Sequence, residues 1–151
     1  MNSSLFGRPI WPKPRALIDY ELDGPQTSLQ PFDIYAFSHI THGVILYFIL
    51  YYLKFEFIHI LILGIILELS WEFFENTPFI INKYRSNKEF KNYTGDSIVN
   101  IIGDTLFTII GIYLSHWSTT ITIITIILLE FILYFYKANF IHLSIGSLLR
   151  K

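Results

Sequence analysis

The chain has no cysteine among its 151 residues. It therefore contains no disulfide, no thiolate metal site and no thiol nucleophile. Any metal site has to be built from oxygen and imidazole ligands, and without sulfur such ligands favour Mg²⁺, Mn²⁺, Fe²⁺ or Zn²⁺.

Charge is scarce as well. Charged residues make up 15% of the chain and hydrophobic residues 52%, with a mean hydropathy of +0.46. A soluble domain of this size usually carries more charge and less apolar residue. No phosphate-binding loop, dinucleotide fingerprint, catalytic-triad order or basic nucleic-acid patch is present, so we expect no nucleic-acid partner. The composition predicts an integral membrane protein.

Four apolar stretches approach the length of about 20 residues that a bilayer-spanning helix needs. They cover residues 34–53, 57–75, 97–114 and 119–136, and Pro78 ends the second because proline cannot continue a helix. We therefore predict an all-α integral membrane fold, a four-transmembrane-helix bundle over residues 34–137. Residues 1–33 are expected to form a polar N-terminal segment, and residues 138–151 an amphipathic tail at the membrane interface.

Basic residues mark the topology. Four spans place three segments on one side of the membrane, and these segments hold ten of the eleven basic residues: Arg8, Lys13, Arg15, Lys83, Arg85, Lys88, Lys91, Lys137, Arg150 and Lys151. Lys54 alone lies on the other side. Since basic loops stay inside, both termini are predicted on the cytoplasmic, or equivalent inner, side.

Polar side chains recur inside the predicted spans, at similar depth in the inner half of the bilayer. Their helical spacing puts each set on one face: His39 and His42; Glu68, Glu72 and Glu75; and Asp96, Asn100 and Asp104. A charged residue at this depth costs about 2.5–3.5 kcal/mol even on a lenient scale, and no lysine or arginine lies within the spans. Bound cations, protonation or hydrogen bonds to His and Asn must compensate these acids.

One interpretation is an intramembrane metal site that activates water against a lipid-linked or head-group substrate. The ligand candidates are His39, His42, Glu72, Asp96, Asn100 and Asp104. Glu68 or Glu75 would then serve as general base. The expected partners are the lipid bilayer and a lipid-linked substrate.

Other interpretations stay open. The glutamates can be protonated acids hydrogen-bonded between helices, because burial raises carboxyl pKa values, and Asp96 is suited to cap the third span. Chains of acids and histidines also mark proton or cation relays. Finally, the polar cluster can fix helix register in a non-catalytic subunit of a membrane complex, or in a homo-oligomer.

Three stretches resemble a known family: Ser38 to Gly43 (His-x-x-His-Gly), Glu68 to Asn76 (Trp-Glu-x-x-Glu-Asn) and Gly95 to Asn100 (Gly-Asp-Ser-x-x-Asn). The chain is similar, from Gly7 to about Asn139, to small bacterial inner-membrane proteins catalogued as a domain of unknown function. More distantly it resembles VanZ-like membrane proteins. The family catalogued as a domain of unknown function has no agreed reaction, so the resemblance implies a shared site and not the chemistry of that site.

Overall fold

The computed structural model describes residues 4, 5, 7–13, 15–86 and 90–139, and five helices lie in this part of the chain. They are α1 (Ser38–Tyr52), α2 (Phe57–Glu75), α3 (Pro78–Arg85), α4 (Ile98–Trp117) and α5 (Thr119–Phe135). A short antiparallel pair, β1 (Ser4–Leu5) and β2 (Arg8–Pro9), precedes them. The predicted all-helical fold class is thus confirmed.

The observed helix ends follow local sequence signals. α2 begins and ends at the predicted residues. It is followed by a helix that was not predicted, α3. This helix starts here because Thr77 caps it and Pro78 occupies its first turn. α1 starts later than expected, since the carboxylate of Asp33 accepts the backbone N–H groups of Tyr35 and Ala36 and holds a turn there.

Only part of the predicted membrane arrangement is visible in the helices themselves. Within the described residues, α2 and α4 are long and apolar enough to cross a membrane, and α5 is apolar but shorter. These lengths and compositions suggest membrane association. The four-span arrangement stays a prediction, and the predicted interfacial tail lies, from residue 140 onward, outside the described residues.

Glycines allow α1 and α4 to touch backbone to backbone. A Cβ on Gly43 would lie 2.0 Å from the carbonyl oxygen of Thr108, and one on Gly111 would lie 2.2 Å from that of Ile40. The hydroxyl of Thr108 also donates to the carbonyl of His39 at 3.1 Å. This contact fixes the position of His39 in the interior.

The N-terminal segment packs against the start of α4. A Cβ on Gly103 would meet the carbonyl oxygen of Pro31 at 1.7 Å, so this glycine lets the N-terminal segment approach the backbone of α4 closely. The amide of Asn100 donates to the Gln30 carbonyl at 2.9 Å, and Ser97 N–H donates to the Ser28 carbonyl at 2.9 Å. The segment therefore closes one end of the bundle.

Polar and apolar residues are distributed inside out compared with a soluble protein. In α2 the buried residues include Glu68 and Glu72, whereas Ile62, Leu69 and Phe73 are exposed. α5 has nine large hydrophobic side chains on its surface: Ile121, Ile123, Ile124, Ile127, Leu128, Phe131, Ile132, Tyr134 and Phe135. A continuous exposed apolar surface of this kind marks contact with lipid or protein.

A candidate metal centre inside the helix bundle

A cavity lies between the N-terminal segment, α1, α2 and the chain leading into α4. Its empty volume is about 740 Å³, open solvent included. The lining residues are Leu22, Asp23, Gly24, Thr27, Ser28, Asp33, Tyr35, Ser38, His39, His42, Trp71, Glu75, Tyr84, Phe90, Asn92, Tyr93, Asp96, Asn100 and Asp104. Six of the eight predicted site residues thus line one cavity.

His39 is the centre of the polar cluster. Its Nδ1 hydrogen-bonds Glu68 Oε1 and lies 3.6 Å from Glu72 Oε1. Its Nε2 lies 3.9 Å from Asp104 Oδ2. Because α2 and α4 both pack on α1, three carboxylates from two helices surround this one imidazole.

Glu68 joins the two predicted histidines. His42 Nδ1 lies 3.2 Å from Glu68 Oε2, while His39 uses Oε1. The two imidazole rings are 4.6 Å apart, as residues three apart on a helix face should be. Both Glu68 oxygens are therefore engaged with imidazole nitrogens.

Two groups of side chains in the described chain can hold a metal ion. They are His39 with Glu72 and Asp104, and His39 with His42 and Glu68, and in each group the ligand atoms lie within 4.8 Å of one another. Both oxygens of Glu72, and Oδ1 of Asp104, are buried without a hydrogen-bond partner among the described residues. Buried carboxylate oxygens are costly unless a cation or proton compensates them.

Asp96 and Asn100 line the same cavity, but other residues occupy their polar atoms. The Asp96 carboxylate accepts from the amide of Asn76 at 2.5 Å and from the hydroxyl of Tyr93 at 3.0 Å. In return, Asp96 N–H donates to Asn76 Oδ1 at 2.7 Å. Asp96 and Asn76 thus tie the end of α2 to the start of α4.

The predicted cap of this helix was wrong. Ser97, not Asp96, is the N-cap of α4, and its hydroxyl accepts the N–H of Asn100 at 3.2 Å. The physical reason is that Asp96 sits one residue too early. Its carboxylate turns to Asn76 instead of to the first turn of the helix.

The remaining acids lie around this cluster. Glu75 lines the cavity and hydrogen-bonds Tyr84. Glu130 on α5 accepts from the hydroxyl of Thr41 at 2.7 Å. Glu75 therefore faces the same space as the histidines, and Glu130 ties α5 to α1.

Three groups that line the cavity have shifted pKa values. Burial raises the pKa of Asp33 to about 6, against the hydrogen bond from the Ala36 backbone. Burial also raises the pKa of Asp96, against the hydrogen bonds from Asn76 and Tyr93. Burial and the neighbouring charge of Asp96 raise the pKa of Tyr93 well above its usual value, so its hydroxyl remains a donor.

Sequence reasoning missed several residues that shape this site. The guanidinium of Arg8 donates to the carbonyls of Thr94 and Asn76, each at 2.7 Å. Gln30, Asp33 and Tyr93 are also part of the site. Arg8 and Tyr93 lie within the range, from Gly7 to about Asn139, over which the chain resembles the family, and this is the one sequence signal that pointed to them.

Comparison with known proteins confirms the resemblance to an uncharacterised family. A family model described as a protein of unknown function, DUF2585, matches residues 7–149. No solved structure matches the chain. The more distant likeness to VanZ-like proteins stays a prediction.

Relatives named UPF0314 proteins occur in several organisms. One from Sphingopyxis alaskensis is 42% identical over 88 residues, covering 57% of this chain and 47% of its own length. One from Agrobacterium fabrum is 32% identical over 117 residues, covering 76% and 59% respectively. One from Sinorhizobium fredii is 40% identical over 101 residues, covering 65% and 51%. The chain spans about half the length of the curated relatives it matches.

Proposed function

We propose that this chain, which belongs to the DUF2585 family of proteins of unknown function, is a multi-pass membrane protein that binds a divalent cation inside its helix bundle. We further propose that the cation serves chemistry on a lipid or lipid head group. Both carboxylate oxygens of Glu72 and Oδ1 of Asp104, beside His39, carry this proposal, because they are buried without a hydrogen-bond partner in the described chain.

The burial of polar residues and the exposure of apolar ones support the proposal that the chain spans a membrane. α5 exposes apolar side chains along most of its length, and α2 does so on every face except the one with Glu68 and Glu72. Water would have to hydrate this surface in a soluble monomer, whereas acyl chains cover it without cost. We propose that α1, α2, α4 and α5 each cross the bilayer, with the N-terminal segment inside.

The chemistry of the donor set supports the metal part. One imidazole nitrogen and two carboxylates within 4.8 Å of one another suit Zn²⁺, Mn²⁺ or Fe²⁺, with remaining positions free for water or substrate. A bound cation would supply Lewis acidity at such a site and would lower the pKa of a nearby water. His39, Glu72 and Asp104 would be the ligands, and Asp96 and Asn100 would hold the cavity wall.

The two predicted general bases differ in their surroundings. Glu68 has both oxygens engaged by imidazoles, which suits it to orient ligands rather than to take a proton from water. Glu75 lines the open cavity, with Tyr84 as its hydrogen-bond partner. We therefore assign the general-base role to Glu75.

Elemental analysis of the protein, purified in non-ionic detergent without chelator, tests the proposal. We expect stoichiometric divalent metal in the wild type and its loss in Glu72→Gln, which keeps the shape of the side chain and removes its charge. The matched control is Glu56→Gln, since Glu56 is exposed and makes no side-chain cap to α2. A metal-free wild type would leave only a structural role for the cluster, and a folded Glu72→Gln variant that keeps its metal would show that Glu72 is not a required ligand.

A further inference from the structure

The cavity has a wall of aromatic rings that the metal centre does not use. Neighbouring ring centroids are 5.9 Å apart for Tyr35 and Phe90, 5.8 Å for Phe90 and Tyr84, and 5.4 Å for Tyr84 and Tyr93. We call these four rings the aromatic wall. Trp71, on α2, lines the same cavity and packs edge-on to His42 at 5.9 Å.

Carboxylates accompany the rings. Glu75 is hydrogen-bonded to Tyr84, and Asp96 to Tyr93, so two acids are attached to the aromatic wall itself. No lysine or arginine is found among the described residues that line the cavity. Oδ1 of Asp104, another lining residue, is a further acceptor without a hydrogen-bond partner among the described residues.

This combination suits one class of organic group. Arginine and lysine are the side chains that bind anions such as phosphate, and neither is among the described residues that line this cavity. Aromatic rings together with carboxylates bind ammonium groups, because the negative ring faces and the acids both attract a positive charge. Metal ions, by contrast, make no use of the rings.

We propose that the cavity binds an ammonium group, primary or quaternary, between the aromatic wall and Trp71. It follows that the head group on which the proposed function acts carries a cationic amine. Only this second statement rests on the proposed function, since ammonium binding requires no metal.

Calorimetric titration of the full chain in non-ionic detergent tests the proposal, with chelator and again with Zn²⁺. The probes are choline and dimethylbutanol, its neutral isostere with carbon in place of nitrogen. We expect saturable choline binding in both buffers and binding of the alcohol weaker by about tenfold or more. Equal binding of the two, or no saturable binding of choline or ethanolamine, would overturn the proposal and leave the metal proposal untouched.

Two further titrations, one with short-chain lipids and one with variants, identify the source of the ammonium group and the binding residues. Short-chain phosphatidylcholine should bind more tightly than free choline if the group belongs to a lipid, and equally if a free amine is the ligand. Short-chain phosphatidylglycerol should not compete, and its competition would contradict the proposal. Trp71→Leu should weaken choline binding about fivefold to tenfold without loss of metal, whereas Trp117→Leu, at an exposed position at the far end of α4, should not.

Discussion

The carboxylate of Glu68 on α2 forms a hydrogen bond with the imidazole of His39 on α1 in the interior of the bundle. Glu68 is 1% exposed and His39 is 7% exposed. Because Nδ1 is used in this bond, Nε2 of His39 is the nitrogen left facing Asp104. A histidine held by a carboxylate at one nitrogen and directed at a ligand site with the other is the usual arrangement at metal centres.

Glu68→Gln is expected to weaken divalent-cation binding by about 10–100-fold. Glutamine keeps one acceptor oxygen, but its amide nitrogen would face the second imidazole as a donor and disturb the proton arrangement of that ring. Competition with a metal-indicator dye in detergent measures the affinity. Glu56→Gln should leave it unchanged, and wild-type affinity in Glu68→Gln would show that Glu68 does not orient the ligands.

Gly43→Ala should destabilise the fold by about 1–3 kcal/mol. Its Cβ would lie 2.0 Å from the backbone oxygen of Thr108, so α1 and α4 would have to separate. Gly64→Ala is the matched variant, because its Cβ would meet only the end of the Ile112 side chain, which can move. Thermal unfolding in detergent should rank Gly43→Ala clearly below Gly64→Ala, and equal stabilities would contradict a direct backbone contact.

Helix positions were predictable here because apolar length and proline are local signals. The bounds of α2 were predicted to the residue, and Pro78 marked its end. α3 was not predicted, because its polar composition, with Lys83 and Arg85 in the last turn, resembles a loop. The contact of α1 with α4 could not be predicted from the sequence either, since it depends on which glycines face each other across the bundle.

The sequence predicted which residues belong to the candidate site, but not which hydrogen-bond partners they have. Helical spacing brought Glu68 and Glu72 to one buried face, and His39 to the opposing one. Spacing does not say which partner each side chain takes. Asp96 and Asn100 are held by Asn76 and the Gln30 carbonyl, contacts between segments far apart in the chain.

Arg8→Lys should lower the stability of the fold by about 1.5–3 kcal/mol. The guanidinium binds the carbonyls of Thr94 and Asn76 with two separate nitrogens, and a single ammonium group cannot reproduce that fork. Arg85→Lys, at an exposed position on α3, serves as the control. Thermal melts should separate the two variants, and identical melts would mean that Arg8 does not stabilise this end of the bundle.

Asp33 should make the fold more stable as the pH falls. Its pKa is about 6 in the folded chain and 3.8 ordinarily. The folded state therefore binds the proton more tightly than the unfolded state. The free energy of unfolding rises as the pH drops from about 6 to 3.8. Asp33→Asn should flatten this rise in the unfolding temperature, whereas Glu21→Gln, at an exposed position, should not. An unchanged pH profile in Asp33→Asn would contradict the raised pKa.

The four-span topology makes a prediction that the absence of cysteine renders simple to test. Single cysteines at Tyr20 and Ser86 should be reached by a membrane-impermeant maleimide only after the membrane is opened. Cysteines at Tyr52 and Thr119 should react from outside. All four positions are exposed, and the unsubstituted chain gives no background.

The physical reason lies in the connections between the helices. α4 ends at Trp117 and α5 begins at Thr119, so a single residue joins these helices, and four residues, 53–56, join α1 to α2. Each pair must therefore leave and re-enter the bilayer on the same side, with the basic segment containing Ser86 between the pairs. Labelling of Tyr52 and Ser86 from the same side would exclude a membrane-crossing α2, and with it an intramembrane position for Glu68 and Glu72.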